Sequence, residues 1–170
     1  ASIAVAVTTV LETKITQPDM AGKHVVVTAG GTREPIDPVR FLGNRSSGLQ
    51  GYALASVAAA RGARVTLISA NAALPDPAGV DVVHVSSALD MQKALNATAH
   101  RADAIIMAAA VADFRPIHAS DTKIKKSSHS IPSIELELNP DLLKSLVVAR
   151  TKADQVIVGF AAETGDAAMS

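Results

Sequence analysis

The sequence lacks cysteine, has few aromatic residues and carries no excess of either charge. The lack of cysteine excludes disulfides, thiolate metal sites and a cysteine nucleophile. Sixteen basic residues balance sixteen acidic ones, so no overall field attracts nucleic acid or an anionic membrane. No apolar run is long enough to cross a bilayer. These absences predict a cytoplasmic protein with no nucleic-acid or membrane partner, in which any phosphate binding is local.

The hydrophobic content consists mainly of small and branched aliphatic side chains. Hydrophobic residues make up 48% of the 170 residues and aromatic residues only 2%. This composition is typical of a parallel sheet whose β-branched strands pack against alanine-rich helices. We expect residues 21–170 to form one domain, which the length suits. Residues 1–20 are predicted to be a leader or interdomain linker, with an edge strand at residues 3–10 as the alternative.

Apolar runs alternate with capped helical segments along the rest of the chain. Strands are predicted at residues 23–29, 64–70, 80–85, 103–109 and 156–160, with a half-buried strand at 134–138. Helices are predicted from a cap at Ser46 or Ser47 to Gly62, from a capping box at Ser87 to about residue 100, and through residues 139–147. Residues 32–45 are expected to form a long polar loop, because two prolines exclude a helix interior. The alternation predicts an α/β fold with a Rossmann-like, doubly wound, mainly parallel sheet and helices on both faces.

In such a sheet, ligands bind beyond the carboxyl ends of the strands. The first strand is followed there by paired glycines, and the next helix starts at paired serines. Glycines let backbone amides approach an anion, and a helix start supplies free amides. We therefore predict a phosphate site, with a plain turn and a serine cap as the alternative. The predicted phosphate contacts are Gly31, Thr32, Ser46 and Ser47, with Arg33, Arg40, Asn44 and Arg45 as supporting polar neighbours.

Two later segments also suggest ligand binding. The small residues at 108–110 end the fourth strand and would let a flat ring approach the backbone. Asp113 follows them, either as a Mg²⁺ ligand or as a solvated loop residue. Residues 123–126 contain three lysines, which form either a solvated basic surface or the partners of a bound anion.

A nicotinamide-dependent oxidoreductase is the alternative from another enzyme class. The glycine spacing differs from the dinucleotide fingerprint, and the second strand ends in Ala70 and Asn71. No acidic residue stands there to bind a ribose hydroxyl. The sequence therefore gives NAD(P) only weak support.

Five segments together resemble the bacterial phosphopantothenoylcysteine synthetase family, the synthetase half of the bifunctional CoaBC proteins. They are residues 30–48, 108–116, 123–126, 139–141 and 158–164, in the family's order and spacing. The resemblance implies CTP-dependent ligation of 4′-phosphopantothenate with L-cysteine in coenzyme A biosynthesis, with Mg²⁺ and through an acyl-cytidylate. Because the substrates supply both nucleophiles, catalysis then reduces to alignment and charge stabilisation.

The resemblance also implies roles for individual residues. Lys123 corresponds to the lysine required for cytidylate formation, and Asn44 to the asparagine that holds the acyl-cytidylate for the second step. Arg40 is predicted as a further substrate contact, and Asp113 as the metal ligand. The implied CTP contacts are Met107, Ala108, Ala109, Asp113, Lys123, Pro140, Asp141, Leu142, Leu143 and Phe160.

The chain departs from the family pattern at Leu49, where many relatives have lysine. The family also continues beyond Thr164, with a lysine-bearing flap over the nucleotide and much of the dimer contact. We therefore expect an incomplete C-terminus, low activity of this chain alone and a homodimer in the full-length form. Fusion to a phosphopantothenoylcysteine decarboxylase domain is a further expectation, with FMN only in that half. A nucleotide-binding module without turnover is the third hypothesis.

Overall fold

The computed structural model describes residues 18–125 and 133–161. Its strands are β1 (His24–Gly30), β2 (Arg33–Asp37), β3 (Arg40–Gly43), β4 (Arg64–Ala70), β5 (Asp81–Val85), β6 (Ala104–Met107), β7 (Phe114–Pro116), β8 (Leu136–Leu138) and β9 (Val156–Gly159). Its helices are α1 (Leu49–Ala60), α2 (Ala88–Thr98) and α3 (Leu142–Val148), with a 3-10 turn at Ala99–Arg101.

Five parallel strands form the main sheet, in the order β5-β4-β1-β6-β9. The central strand β1 pairs with β4 on one side and with β6 on the other. The chain leaves β1 towards β4 and β5, and it later returns to β6 on the opposite side. This reversal is the topological switch point of a doubly wound sheet. The predicted Rossmann-like α/β fold is therefore confirmed.

Helices cover both faces of the sheet, so the central strand is buried throughout. All seven residues of β1 are buried. Because successive side chains of a strand point to opposite faces, Val25 and Val27 pack with Tyr52 and Ala55 of α1. Val26 packs instead in a second cluster, together with residues of α2 and α3. Burial on both faces explains why β1 has a continuous apolar run rather than an alternating pattern.

Helix α1 lies very close to β1 because Gly51 has no side chain. A Cβ at Gly51 would lie 2.5 Å from Ala29 Cβ and 2.7 Å from the Thr28 carbonyl oxygen. The helix starts after Gly48, whose φ of 78° is in the left-handed region that glycine favours. The close contact places the N-terminus of α1 beside the carboxyl end of β1.

The helix caps agree only in part with the sequence predictions. The capping box between Ser87 and Asp90 is confirmed. The cap predicted at Ser46 or Ser47 is wrong, because the N-cap of α1 is Gly48, which makes no side-chain cap hydrogen bond. The left-handed backbone conformation of Gly48 favours glycine at the N-cap over the two serines that directly precede it.

Residues 32–45 are not the plain polar loop that the sequence predicted. They fold into the antiparallel pair of β2 and β3. At the turn, Asp37 Oδ1 accepts hydrogen bonds from the backbone amides of Val39 and Arg40, both at 2.9 Å. The sequence did not predict this hairpin because it contains Pro35 and Pro38, and proline is an unfavourable strand residue except at an edge or a turn.

A second antiparallel pair, β7 with β8, also stands apart from the main sheet. The prediction that residues 134–138 form a half-buried strand is wrong in its burial. All three residues of β8 are exposed, and Leu138 is 72% exposed. Within the described residues, no helix or second sheet covers this strand, so its alternation does not correspond to a buried face.

Residues 1–17, which include the alternative edge strand at 3–10, lie outside the described residues. Residues 18–20 pack against the domain, where Asp19 accepts a hydrogen bond of 2.6 Å from Arg61 and Met20 joins the cluster under α1. No helix in residues 18–125 and 133–161 has the length and apolar character needed to cross a membrane.

Candidate functional site

The carboxyl end of β1 and the N-terminus of α1 meet at the switch point. Gly30 has a φ of 81°, and a Cβ there would overlap the carbonyl oxygen of Ala70. A Cβ on Gly31 would lie 2.7 Å from the carbonyl oxygen of Asn44, and one on Gly48 would lie 3.3 Å from the Gly30 amide nitrogen. Only glycine therefore permits the two backbone segments to come this close. The glycine turn and the start of α1, to which the sequence analysis assigned the phosphate contacts, therefore lie side by side.

The two serines beside this turn are exposed and make only long hydrogen bonds. Ser46 Oγ accepts from the Gly48 amide at 3.3 Å, and Ser47 Oγ accepts from the Leu49 amide at 3.4 Å. Hydroxyl groups and helix-start amides thus lie together at the positive end of the helix dipole. An anion could replace these weak internal contacts, since a helix N-terminus favours negative charge.

The loop after β6 is fixed to the site by three side chains from different parts of the chain. Thr32 Oγ1 accepts a hydrogen bond from the Ala112 amide at 2.9 Å, and Asn139 Nδ2 donates to the Ala112 carbonyl at 2.8 Å. Asn44 Nδ2 donates to the Val111 carbonyl at 3.0 Å. Thr32 is fully buried, so its hydroxyl holds the loop and does not face solvent. Asn44 is exposed and can contact both this loop and a ligand.

The backbone at the end of β6 lies between β1 and β9. Thr28 Oγ1 accepts a hydrogen bond from the Ala109 amide at 3.1 Å, and the Phe160 amide donates to the Met107 carbonyl at 3.3 Å. Met107 is buried, whereas Phe160 is 52% exposed. The structure thus brings together the predicted contacts at residues 107–109 and Phe160. The Phe160 ring offers an apolar surface beside a backbone of small residues.

The four predicted contacts around α3 differ in burial, so their side chains are not equally available to a ligand. Asp141 caps the helix, its Oδ1 accepting from the Lys144 amide at 2.9 Å. Leu142 is 5% exposed and belongs to the core, so only its backbone can meet a ligand. Leu143 is 38% exposed, and a Cβ on Gly159 would lie 2.6 Å from its Cδ2. Pro140, directly before the cap, is half-buried.

The end of β4 carries Asn71 where a dinucleotide enzyme would have an acidic residue. Among the non-glycine residues that the structure describes, Asn71 alone has a positive φ, of 51°. Its Nδ2 donates to the Gly31 carbonyl at 3.0 Å and to the Ser86 carbonyl at 2.9 Å. The side chain therefore ties the ends of β1, β4 and β5 together. Sequence reasoning missed this role, and the tolerance of asparagine for the left-handed conformation was the available signal.

Lys123 lies on the segment that follows β7, next to the turn between β2 and β3. The Ile124 amide donates to Asp37 Oδ2 at 3.1 Å, and Arg40 Nη2 donates to the Ile124 carbonyl at 2.9 Å. Lys123 and Lys125 are exposed, and Lys126 lies outside the described residues. Arg40, predicted as a substrate contact, thus helps to hold the segment that carries Lys123 and Lys125 (the lysine segment).

The other two arginines of the first loop have different surroundings. The Arg33 guanidinium lies 4.6 Å from the centre of the Phe41 ring, in a cation–π contact. Arg45 is exposed beside Asn44.

Asp37 is the most heavily hydrogen-bonded carboxylate near these loops. Its side chain is fully buried, and Arg40 Nε donates to Oδ2 at 2.9 Å. The Arg40 guanidinium, with the amides of Val39 and Ile124, holds the pKa of Asp37 well below its usual range against the opposing effect of burial. Sequence reasoning missed this residue, although Asp before Pro is a known turn signal.

The described residues do not form a resident metal site. They contain no group of three or more His, Cys, Asp or Glu side chains that could hold a metal ion. Asp113, the predicted metal ligand, is exposed, and its carbonyl accepts from the Asn139 amide at 2.8 Å. One exposed carboxylate suits Mg²⁺ only when substrate phosphates supply further ligands.

Comparison with known proteins decides the family. The family model of the DNA/pantothenate metabolism flavoprotein C-terminal domain matches residues 20–170. The chain belongs to this family. The resemblance identified from five short segments is thereby confirmed.

The similar proteins are bifunctional coenzyme A enzymes. The coenzyme A biosynthesis bifunctional protein CoaBC of Mycobacterium tuberculosis is 60% identical over 154 residues, 88% of this chain and 37% of the relative. That of Bacillus subtilis is 47% identical over 152 residues, 89% of this chain and 37% of the relative. A crystal structure of the C-terminal domain of CoaBC matches with a TM-score of 0.76 and 43% identity, covering 88% of this chain and 69% of that one. The chain therefore spans little more than a third of the length of these curated relatives.

Proposed function

We propose that this family member carries out the CTP-dependent ligation of 4′-phosphopantothenate with L-cysteine, through an acyl-cytidylate, in coenzyme A biosynthesis. The observation that carries the proposal is the meeting of the Gly31 turn, the start of α1 and Asn44 at the switch point between β1 and β6. Ligands of doubly wound sheets bind at this point. Membership of the DNA/pantothenate metabolism flavoprotein family and similarity to the C-terminal domain of the coenzyme A biosynthesis protein CoaBC support this choice of ligands.

The nucleotide would lie across the carboxyl ends of β1 and β6. The glycine turn and the α1 amides would contact phosphate oxygens, with Ser46 and Ser47 as hydroxyl donors. The backbone at residues 108–109 and the exposed ring of Phe160 would contact the cytosine. Because cytosine has its own pattern of donor and acceptors, backbone groups in fixed positions can distinguish it from adenine.

The chemistry needs alignment more than reactive side chains. In the first step, a carboxylate oxygen of 4′-phosphopantothenate bonds to the α-phosphorus of CTP, and the bond to the β-phosphate breaks to release pyrophosphate. In the second step, the cysteine amine bonds to the acyl carbon, the bond to the cytidylate oxygen breaks, and the amine proton passes to water. Lys123 would stabilise the charge of the first step, and Asn44 would hold the intermediate for the second, with Arg40 nearby. Mg²⁺ would enter with the triphosphate, as part of the substrate, beside Asp113.

The expectations about assembly stay predictions. They are a homodimer in the full-length form and fusion to a decarboxylase domain that binds FMN. Light scattering on the full-length protein tests the first, and its visible flavin spectrum tests the second.

The test of the proposed function is ligand choice followed by product analysis. Calorimetry with CTP, ATP and NADPH on the full-length protein should show CTP binding more tightly than ATP by roughly a hundredfold or more. Pyrophosphate release should require 4′-phosphopantothenate but not cysteine. Equal affinity for CTP and ATP would contradict the base assignment, and tighter binding of NADPH would favour the oxidoreductase. CTP binding without pyrophosphate release would indicate a binding module without turnover.

A further inference from the structure

The turn between β2 and β3 holds the segment that carries Lys123. Asp37 Oδ2 accepts from the Ile124 amide at 3.1 Å, and Arg40 Nη2 donates to the Ile124 carbonyl at 2.9 Å. The Ser120 amide also donates to the Ile36 carbonyl at 2.9 Å. Both backbone polar groups of the residue after Lys123 are therefore fixed to one charged pair.

Asp37 has no remaining capacity to act on a substrate directly. Oδ1 accepts from the amides of Val39 and Arg40, and Oδ2 accepts from the Arg40 guanidinium and the Ile124 amide. Its side chain is fully buried, whereas that of Arg40 is 49% exposed. A carboxylate in these surroundings can influence the reaction only through the groups that it holds.

We infer that Asp37 is a positioning residue for Lys123, fixing the lysine segment for the cytidylate-forming step. The inference rests on the proposed function, in which Lys123 stabilises charge at the α-phosphate. The peptide unit that joins Lys123 to Ile124 contains the amide bound by Asp37. Loss of this contact would free the segment at the base of the lysine side chain. A displacement of about 1 Å in a catalytic group can lower a rate by roughly a hundredfold.

The test is Asp37→Asn, which keeps the size of the side chain but removes its charge. It can retain the Oδ1 contacts that shape the turn, while weakening the hold on Arg40 and Ile124. Pyrophosphate release from γ-labelled CTP should slow by about 10- to 100-fold, mainly in kcat, with a smaller change in KM for CTP. Coupling of cysteine to preformed acyl-cytidylate should slow much less, because Lys123 acts in the first step. A purely structural role would slow both steps together, and that result would overturn the inference.

A double-mutant cycle gives a second readout. If Asp37 acts through Lys123, then adding Asp37→Asn to Lys123→Gln should cause little further loss, because coupled residues are not additive. Effects that multiply in the double mutant would overturn the inference. If Asp37→Asn does not fold, Asp37→Glu takes its place, since it keeps the charge but shifts the carboxylate by one methylene group. Wild-type pyrophosphate release by this variant would equally overturn it.

Controls separate this inference from the proposed function. Asp90→Asn is the matched control, because Asp90 is also a carboxylate that accepts a backbone amide, at the capping box of α2. It should leave pyrophosphate release unchanged. If the wild-type protein releases no pyrophosphate with CTP and 4′-phosphopantothenate, the proposed function fails. If the wild type is active and Lys123→Gln is not, but Asp37→Asn matches the wild type, only the positioning role fails.

Discussion

Replacing Gly51 with alanine should destabilise the domain, although the same change stabilises most helices. In an unobstructed helix, Gly to Ala contributes about 1 kcal/mol of stability. At Gly51 the new methyl group would face the sheet, 2.5 Å from Ala29 Cβ, 2.7 Å from the Thr28 carbonyl oxygen and 3.0 Å from Ala29 Cα. These neighbours are backbone atoms and a Cβ, so no change of rotamer can relieve the contact.

The magnitude follows from how far α1 must move. Carbon atoms in contact normally lie about 3.5–4.0 Å apart, so the helix must shift by about 1 Å. That shift loosens Tyr52 and Ala55, which are 6% and 0% exposed, from the cluster beneath α1. Overpacking of a core costs about 1–3 kcal/mol. With a penalty of about 3 kcal/mol and a helix gain of about 1 kcal/mol, the net loss of stability should be about 2 kcal/mol. The melting temperature should then fall by about 4–8 °C.

Urea unfolding followed by circular dichroism measures this difference. Ala53→Gly is the matched control, because Ala53 is an exposed residue of the same helix. It should lower stability by about 1 kcal/mol through helix propensity alone. A Gly51→Ala variant as stable as the wild type, or more stable, would refute the close helix–sheet contact.

Two further predictions concern pH dependence and the half-reactions. Burial, with the charge of Arg64 second, lowers the pKa of His24. The stability that neutral His24 contributes to the folded state is therefore fully present above its unfolded pKa of about 6.5. It is lost as the pH falls through the lower pKa that His24 has in the folded state. The urea concentration at the unfolding midpoint should decrease as the pH is lowered from 7.5 to 5.5, and it should decrease less in His24→Gln. A pH dependence of the midpoint as steep in that variant as in the wild type would contradict the assignment. Lys123→Gln should nearly stop pyrophosphate release, a loss of about 3 kcal/mol or more, whereas Asn44→Asp should still release pyrophosphate and accumulate acyl-cytidylate; wild-type release by both would refute their roles.

The main sheet could be predicted because its signals are local and mutually consistent. β1 and β4 are apolar runs of strand length, and α2 begins at a complete capping box. The hairpin of β2 and β3 could not be predicted in this way. Its turn depends on the side chain of Asp37, and its two prolines are typical of loops.

The switch-point rule predicts where the candidate site lies, but not what each of its side chains contacts. The switch-point rule selects the loops after β1 and β6, and the structure brings them together. Burial then divides the predicted contacts in ways that one sequence does not reveal. Thr32 holds the Ala112 amide inside the protein, and Leu142 belongs to the core. Ser46 and Ser47 remain exposed and available.

This separation between supporting and exposed side chains fits the proposed reaction, in which the substrates supply both nucleophiles. Thr32, Asn44 and Asn139 come from distant parts of the chain, yet each forms a hydrogen bond to residues 111–112. The short loop beside the proposed cytosine site is therefore fixed by the fold of the whole domain. The lysine segment is fixed in the same manner, by Asp37 and Arg40 on a separate hairpin. Side chains whose hydrogen bonds are already formed within the protein can hold reacting groups rigidly. Such placement lowers an activation barrier through orientation and prearranged charge. Substitutions that loosen the support of the lysine segment should therefore lower kcat more than they weaken CTP binding.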